Sequence, residues 1–137
     1  MPNVMINGCN YYFEEHGTGA HTIVFAHGLL LSGRVYHNQV VALRDRFRCV
    51  LIDLRGQGRS SAPEDGYNMD DQARDIAQLI EVQGYSPCHY VGLSMGGFIG
   101  LRLGIVRPDL LRSLTLIGSS ADEEPRDGLF KYRLMKM

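Results

Sequence analysis

Short apolar runs alternate along the chain with longer stretches of mixed polarity. The runs are Thr22–Ala26 (TIVFA) and residues 49–52 (CVLI), 89–93 (HYVGL) and 113–117 (SLTLI). Short segments that are apolar at nearly every position are typical of strands buried on both faces of a sheet. We therefore predict four strands of a mostly parallel sheet, joined through the mixed stretches.

Those mixed stretches place apolar residues at helical spacing. Residues 33–46, 69–83 and 96–106 are the predicted helices, and the third ends before Pro108. Asn68 is a candidate N-cap of the second helix. One stripe of that helix contains Ala73, Ile76, Ala77 and Ile80. Such a stripe is expected to pack against the sheet.

The N-terminal residues are predicted to form a hairpin. Residues 4–6 and 11–15 flank Asn7-Gly8, a dipeptide that favours tight turns between antiparallel strands. Strands that alternate with helices of this length imply right-handed crossovers between parallel strands. The predicted fold class is therefore α/β, with a mostly parallel sheet, flanking helices and an opening β-hairpin.

Length and charge narrow the possible functions. The 137 residues suffice for one domain with a core and are too few for two. Hydrophobic residues make up 45% and charged residues 21%, an ordinary globular composition. The 14 basic and 15 acidic side chains give a formal net charge of -1. We therefore expect neither nucleic acid nor a membrane as a partner.

The number and spacing of the three cysteines indicate the cellular compartment of the protein. Cys9, Cys49 and Cys88 are odd in number and far apart, so we interpret them as small buried residues in a reducing compartment rather than as disulfide partners or zinc ligands. The first ten residues lack the basic-then-apolar pattern of a signal peptide, and no apolar run is long enough to span a bilayer. We expect a cytoplasmic protein.

A serine directly follows the third buried run, within residues 92–97 (GLSMGG). A serine on a tight strand-to-helix turn is held in a strained backbone conformation that lifts its hydroxyl above the sheet. Gly92 and Gly96 would flank Ser94 because side chains there would collide across the bend. The alternative is a plain glycine-rich turn. The strand before Ser94 and the helix after it favour a nucleophile.

A second loop with candidate chemistry, residues 27–30 (HGLL), follows the first buried run. An acyl-transfer enzyme needs two N–H donors where the oxyanion develops, and the backbone N–H groups of Leu29 and Met95 are the candidates. His27 is a candidate general base. Its alternative role, which we prefer, is to hydrogen-bond backbone and, with Gly28, hold the shape of the loop.

A third loop, residues 53–60 (DLRGQGRS), follows the second buried run. Asp53 and Arg55 are candidate charged groups near a site. In the preferred interpretation, Asp53 instead ties down the glycine-rich turn and Arg55 braces neighbouring carbonyl groups. All three loops follow the carboxyl ends of strands, which is where ligands gather in open α/β sheets.

Three segments together carry a family resemblance: HGLLLSG, DLRGQGRSSAP and VGLSMGG, in this order and spacing. They resemble the α/β-hydrolase family, nearest to the branch of 3-oxoadipate enol-lactonases and related carboxylesterases. The resemblance covers residues 4 to 122. It implies an eight-stranded sheet and hydrolysis by a serine–histidine–acid triad, with no metal or organic cofactor.

By matching position, the resemblance implies Ser94 as the nucleophile and Leu29 and Met95 as oxyanion donors. Residues 1–121 would be the N-terminal part of the hydrolase core, and residues 122–137 the start of the helical lid. The apolar positions of that lid segment are Leu129, Phe130, Leu134 and Met135.

The chain departs from the family pattern after its serine. In this family the acid and then the histidine follow the serine, yet no histidine follows Ser94. The histidines that precede it are His16, His21, His27, His37 and His89. Asp122 lies where some subfamilies place the acid, and its alternative interpretation is a solvated loop residue. Residues 113–117 would leave an exposed parallel edge with unpaired N–H and C=O groups.

Two functional hypotheses follow. In the first, the chain is the serine-bearing part of a hydrolase that acts on small-molecule carboxylic esters or lactones through an acyl-enzyme, with histidine and acid supplied by a C-terminal complement. In the second, it is an inert half-hydrolase that oligomerises or binds partners through its sheet edge. The residues do not separate ester hydrolysis from perhydrolysis.

Overall fold

A computed structural model describes residues 2–122 of the chain, and six strands within them form one sheet. The strands are β1 (Asn3–Ile6), β2 (Cys9–His16), β3 (Thr22–Ala26), β4 (Arg48–Ile52), β5 (Cys88–Leu93) and β6 (Leu111–Ile117). The helices are α1 (His37–Leu43), α2 (Met69–Val82) and α3 (Met95–Val106), with 3-10 turns at Gly33–Tyr36 and Pro108–Leu110.

The strand order across the sheet is β1-β2-β4-β3-β5-β6. Strands β3, β4, β5 and β6 pair in parallel, whereas β1–β2 and β2–β4 are antiparallel. The predicted opening hairpin is confirmed, and its turn residues Asn7 and Gly8 both have positive φ, 47° and 77°. The predicted α/β class with a mostly parallel sheet is therefore confirmed.

Each face of the sheet buries its own apolar cluster. On one face, α2 and α3 pack over strand residues such as Tyr11 and Tyr90, both fully buried. On the other face, Phe25 and Leu51 pack against Tyr36 and Val40 around α1. Burial of a side chain such as Phe25 contributes about 1.5–3 kcal/mol, so both faces of the central strands stabilise the fold.

Two of the three predicted helices have nearly the expected bounds, and the first is shorter. Asn68 caps α2 as predicted, with its side-chain oxygen accepting the N–H of Asp71 at 2.8 Å. The predicted helix over residues 33–46 is instead a 3-10 turn followed by α1, which ends at Leu43. After it, the backbone of residues 44–47 passes so close to Gly17 that no Cβ would fit there. The chain then enters β4 at Arg48.

The three cysteines are free and fully buried, as predicted. Burial raises the pKa of Cys88 to about 12, and it also raises that of Cys49. Both thiols are therefore protonated at neutral pH and behave as small apolar residues.

Strand β6 lies at one edge of the sheet and pairs only with β5 within residues 2–122. Apolar side chains on and beside it are exposed, including Ile105 of α3 at 78% and Ile117 of β6 at 45%. None of the helices in the described residues is long and apolar enough to cross a membrane. Of the predicted lid segment 122–137, all but Asp122 lies outside the described residues.

Two glycines of α3 allow a matched test of its packing. A Cβ on Gly96 would lie 2.6 Å from the carbonyl carbon of Ala26 and 2.8 Å from the oxygen of His27, both backbone atoms. A Cβ on Gly104 would come no closer than 3.6 Å, to a Leu114 methyl. We expect Gly96→Ala to lower the free energy of unfolding by at least about 2 kcal/mol.

Gly104→Ala is the control in the same helix, and it should raise the free energy of unfolding by about 0.5–1 kcal/mol through helix propensity. Urea denaturation followed by circular dichroism measures both changes. Equal effects of the two substitutions would contradict the close approach of α3 to β3.

Candidate active site

Ser94 is the single residue between β5 and α3, and its backbone is strained. Its φ is 49° and its ψ is -110°, a conformation that costs a residue with a side chain about 1–3 kcal/mol. The Ser94 side chain makes no capping hydrogen bond to α3 and is half-buried, so its hydroxyl remains accessible. A serine in this geometry, between a strand and a helix, has the backbone shape of the turn called a nucleophile elbow.

Backbone contacts with neighbouring strands stabilise the elbow. The Ser94 N–H donates to the carbonyl of Ile117 at the end of β6, at 2.8 Å. The Gly96 N–H donates to the His27 carbonyl at 3.1 Å. A Cβ on Gly92 would lie 2.5 Å from the carbonyl oxygen of Gly96, so only glycine fits there. The strain at Ser94 is therefore imposed by three segments that meet at the carboxyl ends of the parallel strands.

Two side chains that the sequence did not single out complete the elbow. The hydroxyl of the buried Tyr90 donates to the Gly96 carbonyl at 2.7 Å, and that of Ser119 donates to the Ser94 carbonyl at 2.8 Å. A tyrosine in a buried strand generally needs a partner for its hydroxyl, which is the one signal that pointed to Tyr90. Ser119 carries no comparable signal.

The loop after β3 lies directly against Ser94. A Cβ on Gly28 would be 3.5 Å both from the Ser94 Cβ and from a Leu31 methyl. Met95 is the first residue of α3, so its N–H has no acceptor within the helix. Within residues 2–122, the Leu29 N–H has no acceptor either. Within residues 2–122, the N–H groups of the residue after Ser94 and of the residue after Gly28 are therefore both without an acceptor.

His27 is fully buried, and both of its ring nitrogens are engaged. Its Nε2 accepts the N–H of Leu54 at 2.9 Å, which leaves Nδ1 as the donor to the Gly28 carbonyl at 2.7 Å. Burial lowers the pKa of His27 below its ordinary value, although the Gly28 carbonyl and Asp53 act in the opposite direction. The ring is therefore neutral at pH 7, and no lone pair is left to accept a proton from Ser94.

The loop after β4 is held by the carboxylate of Asp53. One oxygen accepts the N–H of Gly33 at 2.7 Å and the other accepts the N–H of Arg59 at 2.8 Å. Gly58 has a φ of 56°, and a Cβ there would collide with the same carboxylate. Asp53 therefore shapes two turns and is 5% exposed.

Arg55 is buried in an ion pair that the sequence did not predict. Its guanidinium donates to Asp75 of α2 at 2.9 Å and to the carbonyls of Asn7 and Asp65 at 2.8 and 3.1 Å. Tyr11 also donates to Asp75, at 2.6 Å. Burial, then the hydrogen bond to Asp75, raises the pKa of Tyr11. This cluster ties the loop after β4 to α2 and to the hairpin.

The other histidines lie away from Ser94. His21 precedes β3, His89 is near the start of β5 and His16 ends the antiparallel β2. All three therefore lie at the amino ends of the parallel strands, opposite the end that carries Ser94. His37 is exposed at the start of α1. Within residues 2–122, no histidine is therefore placed to serve as the base of Ser94.

Asp122 is exposed, and it lines a groove of about 590 Å³ together with Phe98 and Ile105 of α3. The groove begins one helical turn beyond Ser94, because Phe98 lies four residues after the serine. Its floor is mostly apolar.

A serine at a strained strand-to-helix turn, at the carboxyl ends of a mostly parallel sheet, is the arrangement found in α/β hydrolases. Residues 21–135 match the model of a family described as alpha/beta hydrolase fold. The chain belongs to the alpha/beta hydrolase fold family, and the resemblance in the sequence is confirmed at that level.

Individual relatives show how much of such a protein the chain represents. It is 39% identical over 111 residues to a protein of Serratia proteamaculans named "Putative carbamate hydrolase RutD", a match that covers 77% of the chain and 41% of the relative. The chain therefore spans about two fifths of this relative's length.

Two solved structures agree with this. An esterase from Thermogutta terrifontis superposes with a TM-score of 0.84 at 28% identity, over 97% of the chain and 49% of the esterase. Est816, described as an N-acyl homoserine lactone degrading enzyme, superposes with a TM-score of 0.80 at 28% identity, over 84% and 44%. The chain is similar to about half of each structure.

Stability should depend on the neutral state of His27. Because the pKa of His27 in the folded protein is lower than the ordinary 6.5, its contribution to stability is complete above that value and is lost as the pH falls below it. We expect the free energy of unfolding to decrease between pH 7.5 and pH 5.5, about one unit either side of that value.

In His27→Gln, an amide oxygen can still accept the Leu54 N–H but does not titrate. We expect a less stable protein whose free energy of unfolding is nearly constant over this pH interval, measured by urea denaturation at each pH. His37→Gln, at an exposed position, is the control and should keep the wild-type slope. A slope that survives in His27→Gln would assign the pH dependence to another group and contradict the prediction.

Proposed function

We propose that Ser94 is the nucleophile of a serine hydrolase that forms an acyl-enzyme. The observation that carries the proposal is the strained, accessible serine between β5 and α3, with φ at 49° and no capping bond to its helix. A protein keeps such strain only where the surrounding structure enforces it, and enforced strain clusters at reacting groups. In this proposal residues 1–121 are the N-terminal part of the hydrolase core and residues 122–137 begin the lid.

The backbone N–H groups of Leu29 and Met95 would bind the oxyanion. Attack of the Ser94 hydroxyl on a carbonyl carbon converts the carbonyl oxygen to an anion, and two donors beside the serine stabilise it. The positive end of the α3 dipole at Met95 adds to this effect. Collapse of the intermediate expels the alcohol, which takes the proton lost by serine, and water then releases the acid.

A base must remove the serine proton, and we propose that it comes from outside residues 2–122. His27, the one histidine near the site, has no free nitrogen. In this family the acid and histidine follow the serine in the sequence. A C-terminal complement, corresponding to the part of the relatives that this chain does not span, would supply both.

The substrate class follows from the reaction and from the apolar surroundings. Similar proteins are named for carbamates, N-acyl homoserine lactones and esters. Hydrolysis of each of these compounds involves attack on a carbonyl carbon that carries a nitrogen or oxygen leaving group. Leu29, Leu30 and Leu31 are 43%, 77% and 42% exposed beside Ser94. We therefore propose a small carboxylic ester or lactone with an apolar acyl group.

A fluorophosphonate probe tests the nucleophile. The chain is joined to the C-terminal part of the Serratia proteamaculans relative, and a chimera that is folded by circular dichroism is treated with the probe. We expect labelling at Ser94, identified by peptide mass spectrometry, and at least about a hundredfold slower labelling of the 137-residue chain alone because it lacks the base.

Ser94→Ala should abolish labelling of the chimera, whereas Ser120→Ala, which removes an exposed serine nearby, should leave it unchanged. Labelling of another residue, or none in the folded chimera, would refute the role of Ser94.

A second function is favoured by the exposed edge of the sheet. Within residues 2–122, strand β6 pairs only with β5, and Ile105 of α3 and Ile117 of β6 are exposed. A parallel edge with apolar neighbours pairs readily with another chain. The alternative proposal is thus an inert module in which two copies of the chain associate through β6.

Sedimentation velocity distinguishes these proposals. If the edge joins two copies, the 137-residue chain forms a stable dimer. Leu116→Pro should shift it toward the monomer, because the Leu116 N–H faces away from β5 and proline cannot donate to a partner strand. Thr115→Pro, on the same strand, is the control for loss of stability, because the Thr115 N–H faces β5 beside Val91 in the ladder. If the chain is a monomer at all concentrations, the proposal of a dimer through β6 is refuted, and the C-terminal complement remains as the proposed occupant of the edge.

A further inference from the structure

Leu30 has a backbone conformation that a leucine seldom adopts. Its φ is 62°, and its side chain is 77% exposed, so burial does not compensate for the strain. The left-handed region costs residues with a Cβ about 1–2 kcal/mol. Some specific contact must therefore hold Leu30 in this conformation.

The strain arises from the turn that contains the Leu29 N–H. The Leu31 N–H donates to the Gly28 carbonyl at 3.2 Å, which closes a four-residue turn. Among the central residues only Leu30 has a positive φ, as in a type II turn, whose third position is ordinarily glycine. With leucine there, a turn with negative φ at that position would be the relaxed alternative.

The contact that opposes this relaxation comes from Gln57. Its side-chain oxygen accepts the Leu30 N–H at 2.6 Å. That N–H belongs to the central peptide of the turn, the peptide that would rotate if Leu30 relaxed to negative φ. An acceptor fixed on one side of this peptide therefore selects the strained form.

The backbone of Gln57 is held firmly enough to act in this way. Its N–H donates to the Leu54 carbonyl at 3.0 Å, and its carbonyl accepts the Ser60 N–H at 3.1 Å. The same loop binds the loop after β3 at two further points, from Leu54 to His27 and from Asp53 to Gly33. Gln57 makes the third contact of that loop, with Leu30, which is the residue next to Leu29.

We propose that Gln57 is a positioning residue, which acts through Leu30 to keep the Leu29 N–H directed at the oxyanion; this inference rests on the proposed function of Ser94. Gln57 does not touch the substrate. Its loss should let the Leu29–Leu30 peptide rotate, which changes ψ of Leu29 and removes the contact that fixes this turn, and with it the Leu29 N–H, against the loop after β4, while the rest of the fold is unchanged.

The first test is amide hydrogen exchange of the 137-residue chain, read by NMR, which needs no activity. Gln57→Met keeps the length of the side chain and removes the acceptor, so the Leu30 amide should exchange about tenfold faster. Gln57→Glu keeps an acceptor and should restore slow exchange. The Leu54 amide, bonded to His27, should stay protected in both variants, and Gln78→Met, at an exposed position on α2, is the matched control.

The second test is kinetic, in the chimera that labels at Ser94. Gln57→Met should lower kcat about tenfold with KM unchanged, because a misplaced donor weakens binding of the transition state only. Adding Leu30→Gly should restore most of kcat, since glycine adopts the positive φ without the acceptor. Gln78→Met should have wild-type kinetics.

Unchanged exchange of Leu30 in Gln57→Met, or a loss of kcat that Leu30→Gly does not recover, would overturn the inference. A failure of the proposed function is seen separately. In that case Ser94→Ala retains activity, while the exchange of Leu30 still reports on the contact with Gln57.

Discussion

The close approach of three backbone segments at the end of β5 is the constraint on which the site depends. Neither Gly92 nor Gly96 has room for a Cβ, because the helix after Ser94 passes directly over β5 and against the end of β3. The chain can make this turn only with a strained residue between strand and helix, and Ser94 takes that position. The strain is thus a consequence of packing, offset by the buried core on both faces of the sheet.

The loops beside Ser94 are supported in a chain of contacts that begins in the core. Asp75 of α2 pairs with the buried Arg55, which holds the loop after β4. From that loop, Leu54 and Gln57 hold the loop after β3 through His27 and Leu30. Breaking a buried ion pair by removing one partner costs about 3–5 kcal/mol, so this support resists local opening. The position of the loop beside Ser94 is thus set by contacts that begin in the core.

Local patterns predicted most of the fold. The bounds of β3 agree with the prediction residue for residue, because all five of its residues are buried and the apolar run therefore shows the strand directly. The helix predicted over residues 33–46 was too long, since apolar spacing does not reveal that the backbone of Arg44 must pass over Gly17. The elbow could be found because its glycines and serine are adjacent in the sequence.

The sequence by itself determined the fold class, the buried strands and the serine at the strand-to-helix turn, because each depends on residues that are neighbours along the chain. The tertiary structure alone decided which partners the polar side chains have. His27 meets Leu54 and Gln57 meets Leu30, each pair 27 residues apart, and Arg55 meets Asp75 across 20 residues. Many partners could satisfy the same polar atom, and only the packing of distant segments selects one.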